Sequence, residues 1–187
     1  LMFTISATMI MNRILYKTLP YDADKDFVLI SSMDSGGLIL IAQKSLGVIK
    51  LADFVEQARK GKLVYGTYSA GSESHMAIAE INRHFGTTID TVHYRGAGPS
   101  WVDFNAGVIH AASGTYPAVK SIIEAGNGVP LAIWAPKRSR ALPDVPTFHE
   151  LGLKGKLWNL RGFICLAGPA GMPAEVVDKL SALMIEG

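Results

Sequence analysis

The segment Leu63-Val-Tyr-Gly-Thr-Tyr-Ser-Ala-Gly-Ser-Glu-Ser-His75 decides the fold, because it joins a strand pattern to a helix pattern through a turn rich in glycine and hydroxyl groups. The apolar run stops after Val64, and Gly66 and Gly71 permit tight backbone geometry. Apolar residues then recur at helical spacing over 76–85. The segment therefore predicts a β-strand followed closely by an amphipathic α-helix.

The start of this helix is the first predicted binding site, and the expected ligand is an anion. Unpaired N–H groups and the positive end of the helix dipole favour a carboxylate or phosphate there. The hydroxyls of Thr67, Ser69 and Ser72 surround the helix start, and His75 in the first turn is placed to donate to a carboxylate. The alternative is structural: Ser69 or Ser72 only caps the helix, as serines before helices usually do, and His75 is a polar residue of the cap.

The same succession of strand, small-residue turn and helix occurs twice more. In 92–100 it brings together the Tyr94 hydroxyl, the Arg95 guanidinium and the Gly96 backbone, and Arg95 either pairs with a carboxylate or points to solvent. In 112–117 it places the hydroxyls of Ser113 and Thr115 where a strand meets a helix. Because ligands of parallel sheets gather at the carboxyl ends of strands, the three turns favour one shared binding rim. The predicted ligand-binding residues are Thr67, Ser69, Gly71, Ser72, His75, Tyr94, Arg95, Gly96, Ser113 and Thr115.

Strand-like and helix-like patterns alternate along most of the chain. The predicted strands are 1–6, 38–42, 63–66, 89–94, 108–112 and 130–134. The predicted helices are 9–16, 51–60, 72–85, 99–105, 117–125 and a last one that begins at Pro173. Such alternation predicts an α/β fold with largely parallel sheets covered by helices.

One long segment, 135–152, departs from this alternation. Its three prolines prevent regular structure, so it is predicted to be a surface connection. Its basic residues are either simply solvated or form a docking surface.

Composition excludes several classes of protein. The 187 residues are 49% hydrophobic, which is enough for a real core. Net charge is only +2 and no long basic run occurs, so nucleic-acid binding is not indicated. The single cysteine, Cys165, lies in an apolar run and is predicted to be a buried structural thiol. No apolar stretch approaches the roughly 20 residues that a membrane-spanning helix needs.

Catalytic, metal and cofactor motifs are also not matched. A nucleophile elbow at Ser69 needs glycine two positions before it, where Thr67 stands. No Gly-Lys-Ser/Thr follows the turn, and the glycine spacing of a dinucleotide fingerprint is absent. The five histidines lack the spacing of a common zinc motif. We therefore predict neither catalytic residues nor a metal or cofactor.

Five segments together resemble a known family. They are 19–27 (LPYDADKDF), 65–75 (YGTYSAGSESH), 94–99 (YRGAGP), 137–147 (KRSRALPDVPT) and 167–173 (AGPAGMP). In this order they resemble the Bug family, the extracytoplasmic solute receptors of tripartite tricarboxylate transporters. The resemblance implies a type II periplasmic-binding-protein-like fold, with two lobes and a hinge. It also implies a monomer that captures a small carboxylate by hinge closure and delivers it to membrane permease subunits, without catalysis.

The resemblance implies a division of the chain into lobes. Residues 1–43 belong to the first lobe, 44–134 form the second, and 135–187 return to the first. The family's opening strand and glycine-rich ligand loop are expected before Leu1, together with a signal peptide for the periplasm, and a C-terminal portion is expected beyond the last helix. The chain is therefore interpreted as a fragment.

Four positions depart from the family pattern. Ser69 stands where a glycine is usual, and His110 where an Asp is typical. Glu73 replaces a proline after Ser72 and is expected to point to solvent, since it would repel a carboxylate. Lys50 replaces the Ser or Thr that commonly starts a helix, which removes a cap.

Three rival interpretations remain open at this point. A ligand-sensing effector domain of a transcription regulator would share a two-lobed architecture. A serine hydrolase would use Ser69 as its nucleophile. A fragment of a receptor would bind nothing by itself.

Overall fold

The computed structural model describes residues 1–186, which form two compact units. Unit 1 consists of Leu1–Ser35 and of the chain from Arg161 onward, and unit 2 is Gly36–Leu160. The chain therefore passes between units at 35/36 and 160/161, whereas the resemblance predicts crossings near 43/44 and 134/135. The reasons for this difference lie in the strand β3 and in the loop 135–152, described below.

The strands, in chain order, are β1 (Met2–Ile5), β2 (Phe27–Asp34), β3 (Leu38–Gln43), β4 (Val64–Thr67), β5 (Asp90–His93), β6 (Ala111–Gly114), β7 (Gly128–Trp134) and β8 (Phe163–Pro169). The α-helices are α1 (Asn12–Leu15), α2 (Leu51–Lys60), α3 (Glu73–Phe85), α4 (Ala97–Asn105), α5 (Tyr116–Glu124) and α6 (Ala174–Glu186). A π-helical turn, Ala7–Met11, precedes α1, and short 3-10 helices span Lys44–Leu46 and Lys156–Asn159. None of these helices is long and apolar enough to cross a membrane.

Unit 1 contains a three-stranded antiparallel sheet in the order β1-β8-β2. Helix α6 lies against β2. The register between β2 and β8 shifts once, between Leu29 and Ser31. Cys165 lies buried and unpaired in β8, as the sequence predicts, and burial raises the pKa of its thiol. The strand β2 is an element that the sequence patterns did not predict.

Unit 2 contains a five-stranded sheet in the order β5-β4-β6-β3-β7. Strand β4 runs parallel to both β5 and β6, but β3 runs antiparallel to both β6 and β7. The α/β class is thus confirmed. The prediction of largely parallel sheets is correct only for the three neighbouring strands β5, β4 and β6. The sequence could not separate the two cases, because a strand covered on both faces is a continuous apolar run whichever way its neighbours run.

Strand β3 lies at the centre of unit 2, which explains why the observed boundary precedes it. Its side chains alternate between the two faces of the sheet. Leu38, Leu40 and Ala42 pack into one core cluster with helices α2 and α3, and Ile39 and Ile41 pack into the other with α4 and α5. A strand that supplies both cores cannot belong to another unit.

The loop 135–152 is irregular, as its prolines predict, but it also stays with unit 2. Ile133 of β7 forms a parallel bridge with Thr147, and the Phe148 N–H donates to the Ile133 carbonyl at 3.0 Å. The Phe148 ring stacks on Trp158, with centroids 4.3 Å apart. These contacts place the second boundary after this loop and not before it.

Candidate ligand-binding site

The turns after β4 and β5 lie side by side, because the two strands are parallel neighbours. The Tyr94 N–H donates to the Thr67 carbonyl at 2.8 Å, and the Gly96 N–H donates to the Tyr68 carbonyl at 2.9 Å. The first two predicted turns are therefore joined backbone to backbone. We call the residues at the carboxyl ends of β4, β5 and β6, with the turns that follow them, the rim.

The start of α3 is a capped helix terminus. The Ser72 hydroxyl accepts from the His75 N–H at 3.4 Å and donates to the Ser69 carbonyl at 2.7 Å. Gly71 has φ +69°, a conformation that side chains rarely adopt. The structural alternative is thus confirmed for Ser72, while Ser69 contributes its carbonyl to the turn.

The Thr67 side chain is buried beneath the rim. Its Oγ1 lies 2.6 Å from Nδ1 of His93 and donates to the Ser69 carbonyl at 3.3 Å. The hydroxyl of Thr67 therefore links β4 to β5.

His75 is half-buried and has a defined tautomer. Its Nδ1 accepts from the Gly71 N–H at 3.0 Å, which leaves the proton of the neutral ring on Nε2. Its ring meets that of His93 edge to face, with centroids 4.5 Å apart. Burial lowers the pKa of His75, and repulsion from His93 lowers it further. His75 is therefore a neutral N–H donor at pH 7.

In the second turn, the Tyr94 hydroxyl is already used by the protein. It donates to Asp103 of α4 at 2.6 Å. Burial, this hydrogen bond and the charge of Asp103 raise the pKa of Tyr94 to about 12. Gly96, with φ +103°, stands directly before α4, and Arg95 is exposed.

In the third turn, the Ser113 hydroxyl lies inside the protein. It accepts from the Tyr65 hydroxyl at 2.6 Å, and both side chains are buried. Desolvation raises the pKa of Tyr65. Thr115 occupies the position before α5, is half-exposed, and makes no side-chain hydrogen bond to that helix.

One rim residue was not among the sequence candidates. His93 ends β5 and contacts both Thr67 and His75, although it lies 18 positions after His75 in the sequence. Its place at a strand end was the signal that could have indicated it. Tyr68 donates to Glu73 at 3.4 Å, and burial followed by the charge of Glu73 raises the pKa of its hydroxyl. Since Glu73 is half-buried against Tyr68, the expectation that it points to solvent is wrong.

Two departures from the family pattern have structural roles. His110 Nδ1 accepts from the Val64 N–H at 3.0 Å, at the start of β4. The carboxylate of Asp53 accepts from the Ile49 and Lys50 N–H groups at 3.1 and 3.2 Å, which supplies the reciprocal half of a capping box, although the Lys50 side chain itself makes no cap hydrogen bond.

Two surface depressions lie elsewhere. One, of about 430 Å³, is in unit 1 beside Arg13 and Tyr21. The other, of about 460 Å³, is in unit 2 beside Lys137 and Glu150. Neither is lined by a predicted ligand-binding residue. Within residues 1–186, no group of three or more His, Cys, Asp or Glu side chains is arranged to hold a metal ion.

Solved structures define the class to which this fold belongs. R. palustris Rpa4515 with adipate matches with a TM-score of 0.87 and 30% identity, over 95% of this chain and 60% of that one. A structure of a periplasmic transporter matches with a TM-score of 0.87 and 29% identity, over 97% of this chain and 62% of that one. The chain therefore has the fold of the periplasmic solute-binding proteins.

Sequence comparison narrows this class to one family. The model described as tripartite tricarboxylate transporter family receptor matches residues 2–186. Protein BugT of Bordetella pertussis is 32% identical over 154 residues, which are 81% of this chain and 47% of BugT. The chain belongs to the tripartite tricarboxylate transporter family of receptors, and the resemblance to Bug proteins is confirmed. It spans about half the length of the curated relatives it matches.

Proposed function

We propose that the natural protein containing this chain is a periplasmic receptor that binds a small carboxylate at the rim and delivers it to a permease of the tripartite tricarboxylate type. One observation carries this proposal. The turns after β4 and β5 are joined by the Tyr94–Thr67 and Gly96–Tyr68 hydrogen bonds, so donors from both turns face one edge of the sheet. Family membership supports the same class of ligand.

The rim residues form two groups: those whose side chains already make hydrogen bonds within the protein, and those whose N–H groups we assign to the ligand. Thr67, Ser72 and Ser113 already bond to protein atoms, and we infer that they fix the shape of the turns. His75, through its Nε2–H, and exposed Arg95 are the donors that we assign to direct contact with a carboxylate. Hydrogen bonds to an ionised acceptor are about twice as strong as neutral ones, so a few of them suffice.

The ligand we would test first is a dicarboxylate. Rpa4515, which shares 30% identity with this chain, was solved with adipate. An exposed guanidinium and a neutral imidazole suit carboxylates better than neutral sugars, because each donates without offering a strong acceptor. Aromatic acids remain a second class, with Tyr68, Tyr94 and Tyr116 as the rings available for packing.

A hydrolase is not favoured by the contacts around Ser69. The two nearby imidazoles use their Nδ1 atoms for Gly71 and Thr67, and Ser69 enters the network through its carbonyl. A Ser69→Ala variant should therefore retain ligand binding, with altered affinity at most. Loss of an ester-hydrolysing activity in this variant would instead establish catalysis.

Thermal denaturation of the natural protein with a panel of carboxylic acids tests the proposed function. A ligand at 100 times its Kd adds about 2.7 kcal/mol to the free energy of unfolding, which raises the Tm by several degrees. We expect such a rise with at least one carboxylate, and a smaller rise in Arg95→Gln than in the matched control Arg140→Gln. A rise in Tm with a neutral sugar and with no carboxylate would contradict the proposal.

The monomeric state, the hinge closure and the delivery to a permease stay predictions. Small-angle scattering with and without ligand tests the closure.

A further inference from the structure

His75 and His93 form a pair of imidazoles at the rim. Each ring uses Nδ1 for a protein contact, with the Gly71 N–H at 3.0 Å and with Thr67 Oγ1 at 2.6 Å respectively. The rings meet edge to face at 4.5 Å. Among residues 1–186, neither Nε2 atom has a hydrogen-bond partner. Neither belongs to the buried side-chain atoms that lack a partner. Both rings therefore offer one nitrogen to a ligand.

The two rings differ in where a further proton can bind. His75 Nδ1 accepts from the Gly71 N–H, so a second proton on that ring would break this hydrogen bond, whereas His93 meets Thr67 Oγ1 through Nδ1 and leaves Nε2 open. A carboxylate placed against the Nε2 atoms favours a proton on His93 Nε2, because an opposite charge within about 4–6 Å stabilises the protonated ring. Ligand and proton would then stabilise each other at one site.

We propose that His93 is a ligand-contacting residue, and that its Nε2 takes up a proton when a carboxylate binds, while His75 donates the Nε2–H that it already carries. This inference rests on the proposed function, and it adds a residue and a proton to the recognition of the ligand. The affinity for a carboxylate consequently falls as pH rises. Uptake of about half a proton per ligand near pH 7 corresponds to a threefold loss of affinity per pH unit, by the linkage relation.

The neighbouring charged groups do not replace this role. On α3 and the turn before it, Glu73 is held by the Tyr68 hydroxyl. On α4, Asp103 is held by the Tyr94 hydroxyl, and β6 contributes the neutral Ser113. After β5, Arg95 is a permanent cation, which attracts a carboxylate without a pH dependence near neutrality. A proton taken up with the ligand is therefore assigned to His93 and not to these groups.

Calorimetric titration with adipate, malate, citrate and benzoate tests the inference. Proton uptake is measured at pH 7 from the difference in heat between two buffers of unlike ionisation enthalpy. Affinity is measured from pH 6.5 to 8, where free adipate, malate and benzoate stay ionised. Citrate, whose last carboxyl still takes up protons at the lower end of this range, serves only to test whether a tricarboxylate binds. The variants are His75→Gln, His93→Gln and His93→Asn. The last keeps an amide near Thr67 but cannot titrate. His84→Gln, on the far end of α3, is the matched control.

We expect wild type, His84→Gln and His75→Gln to take up a proton fraction on binding, with a lower affinity in His75→Gln, and the two His93 variants to bind with little uptake and a flat pH profile. Equal uptake in wild type and in both His93 variants would overturn the assignment of His93. Binding of a carboxylate without uptake in wild type would overturn the inference and leave the proposed function standing. Absence of binding by any of the four acids at every pH would overturn both.

Discussion

The Tyr65 hydroxyl donates to the Ser113 hydroxyl at 2.6 Å, and this buried bond ties β4 to β6 beneath the rim. The two residues are 48 positions apart in the sequence. Backbone pairing between these strands covers only two positions, Tyr65 with Ala111 and Gly66 with Ala112. The side-chain bond therefore extends the connection towards the turns that are proposed to bind the ligand.

Tyr65→Phe should destabilise the protein by about 1–2 kcal/mol, because it leaves the buried Ser113 hydroxyl without its donor. Urea denaturation followed by circular dichroism measures the change. Ser113→Ala and the double variant complete a double-mutant cycle. A coupling energy near zero would show that the bond contributes nothing to stability.

Gly114→Ala should destabilise the protein by about 1–3 kcal/mol through overpacking. A Cβ at this position would lie 2.6 Å from Cζ2 of Trp101 and 3.3 Å from Cβ of Ala118. Gly61→Ala is the control, since a Cβ there meets nothing within 4 Å and its φ is extended. Equal stability of the two variants in urea would contradict the packing of α4 and α5 against the end of β6.

Glu150→Gln should loosen the loop 135–152. The Glu150 carboxylate accepts from the Thr147 N–H at 2.7 Å and from Arg138 Nε at 2.9 Å, and these contacts lower its pKa. We expect severalfold faster trypsin cleavage within the loop, with Glu124→Gln on α5 as the control. The same cleavage rate in both variants would mean that these contacts do not hold the loop.

Acid should destabilise the ligand-free protein partly through His75. Its pKa is lowered in the folded state, mainly by burial, so the unfolded chain binds the proton more tightly. Stability is therefore complete above the unfolded pKa of about 6.5 and falls as pH drops from there towards the folded pKa. Denaturation in urea at pH 7.5 and 5.5 should show a smaller loss in His75→Gln than in wild type. An equal or larger loss in the variant would contradict the burial of this ring.

Local patterns in the sequence predicted the elements around the site well. The strand and helix on either side of the opening turn are observed at Val64–Thr67 and Glu73–Phe85, because glycine, serine and apolar spacing act within a few residues. The cap formed by Ser72 was foreseen for the same reason. The third turn was less accurate: β6 begins at Ala111, three residues after the predicted start.

Contacts between distant residues were not readable from the sequence. The antiparallel direction of β3, the return of Phe148 to Ile133 and the pairing of His75 with His93 depend on which segments meet in space. An apolar run indicates that a strand is buried, but it does not indicate whether the neighbouring strands run parallel or antiparallel to it. The boundaries of the compact units differ from the predicted lobe boundaries for this reason, since the predicted positions lie directly after β3 and β7, two strands that belong to unit 2.

Hydrogen exchange of the natural protein, with and without a bound carboxylate such as adipate, tests the central claim most directly. Binding at the rim should protect backbone amides in two segments, 67–76 and 94–98, since a bound ligand suppresses local opening around its site. We predict that protection concentrates there and weakens in His75→Gln. A carboxylate that binds while protecting neither segment, for example only 136–154 instead, would contradict the assignment of the rim as the binding site.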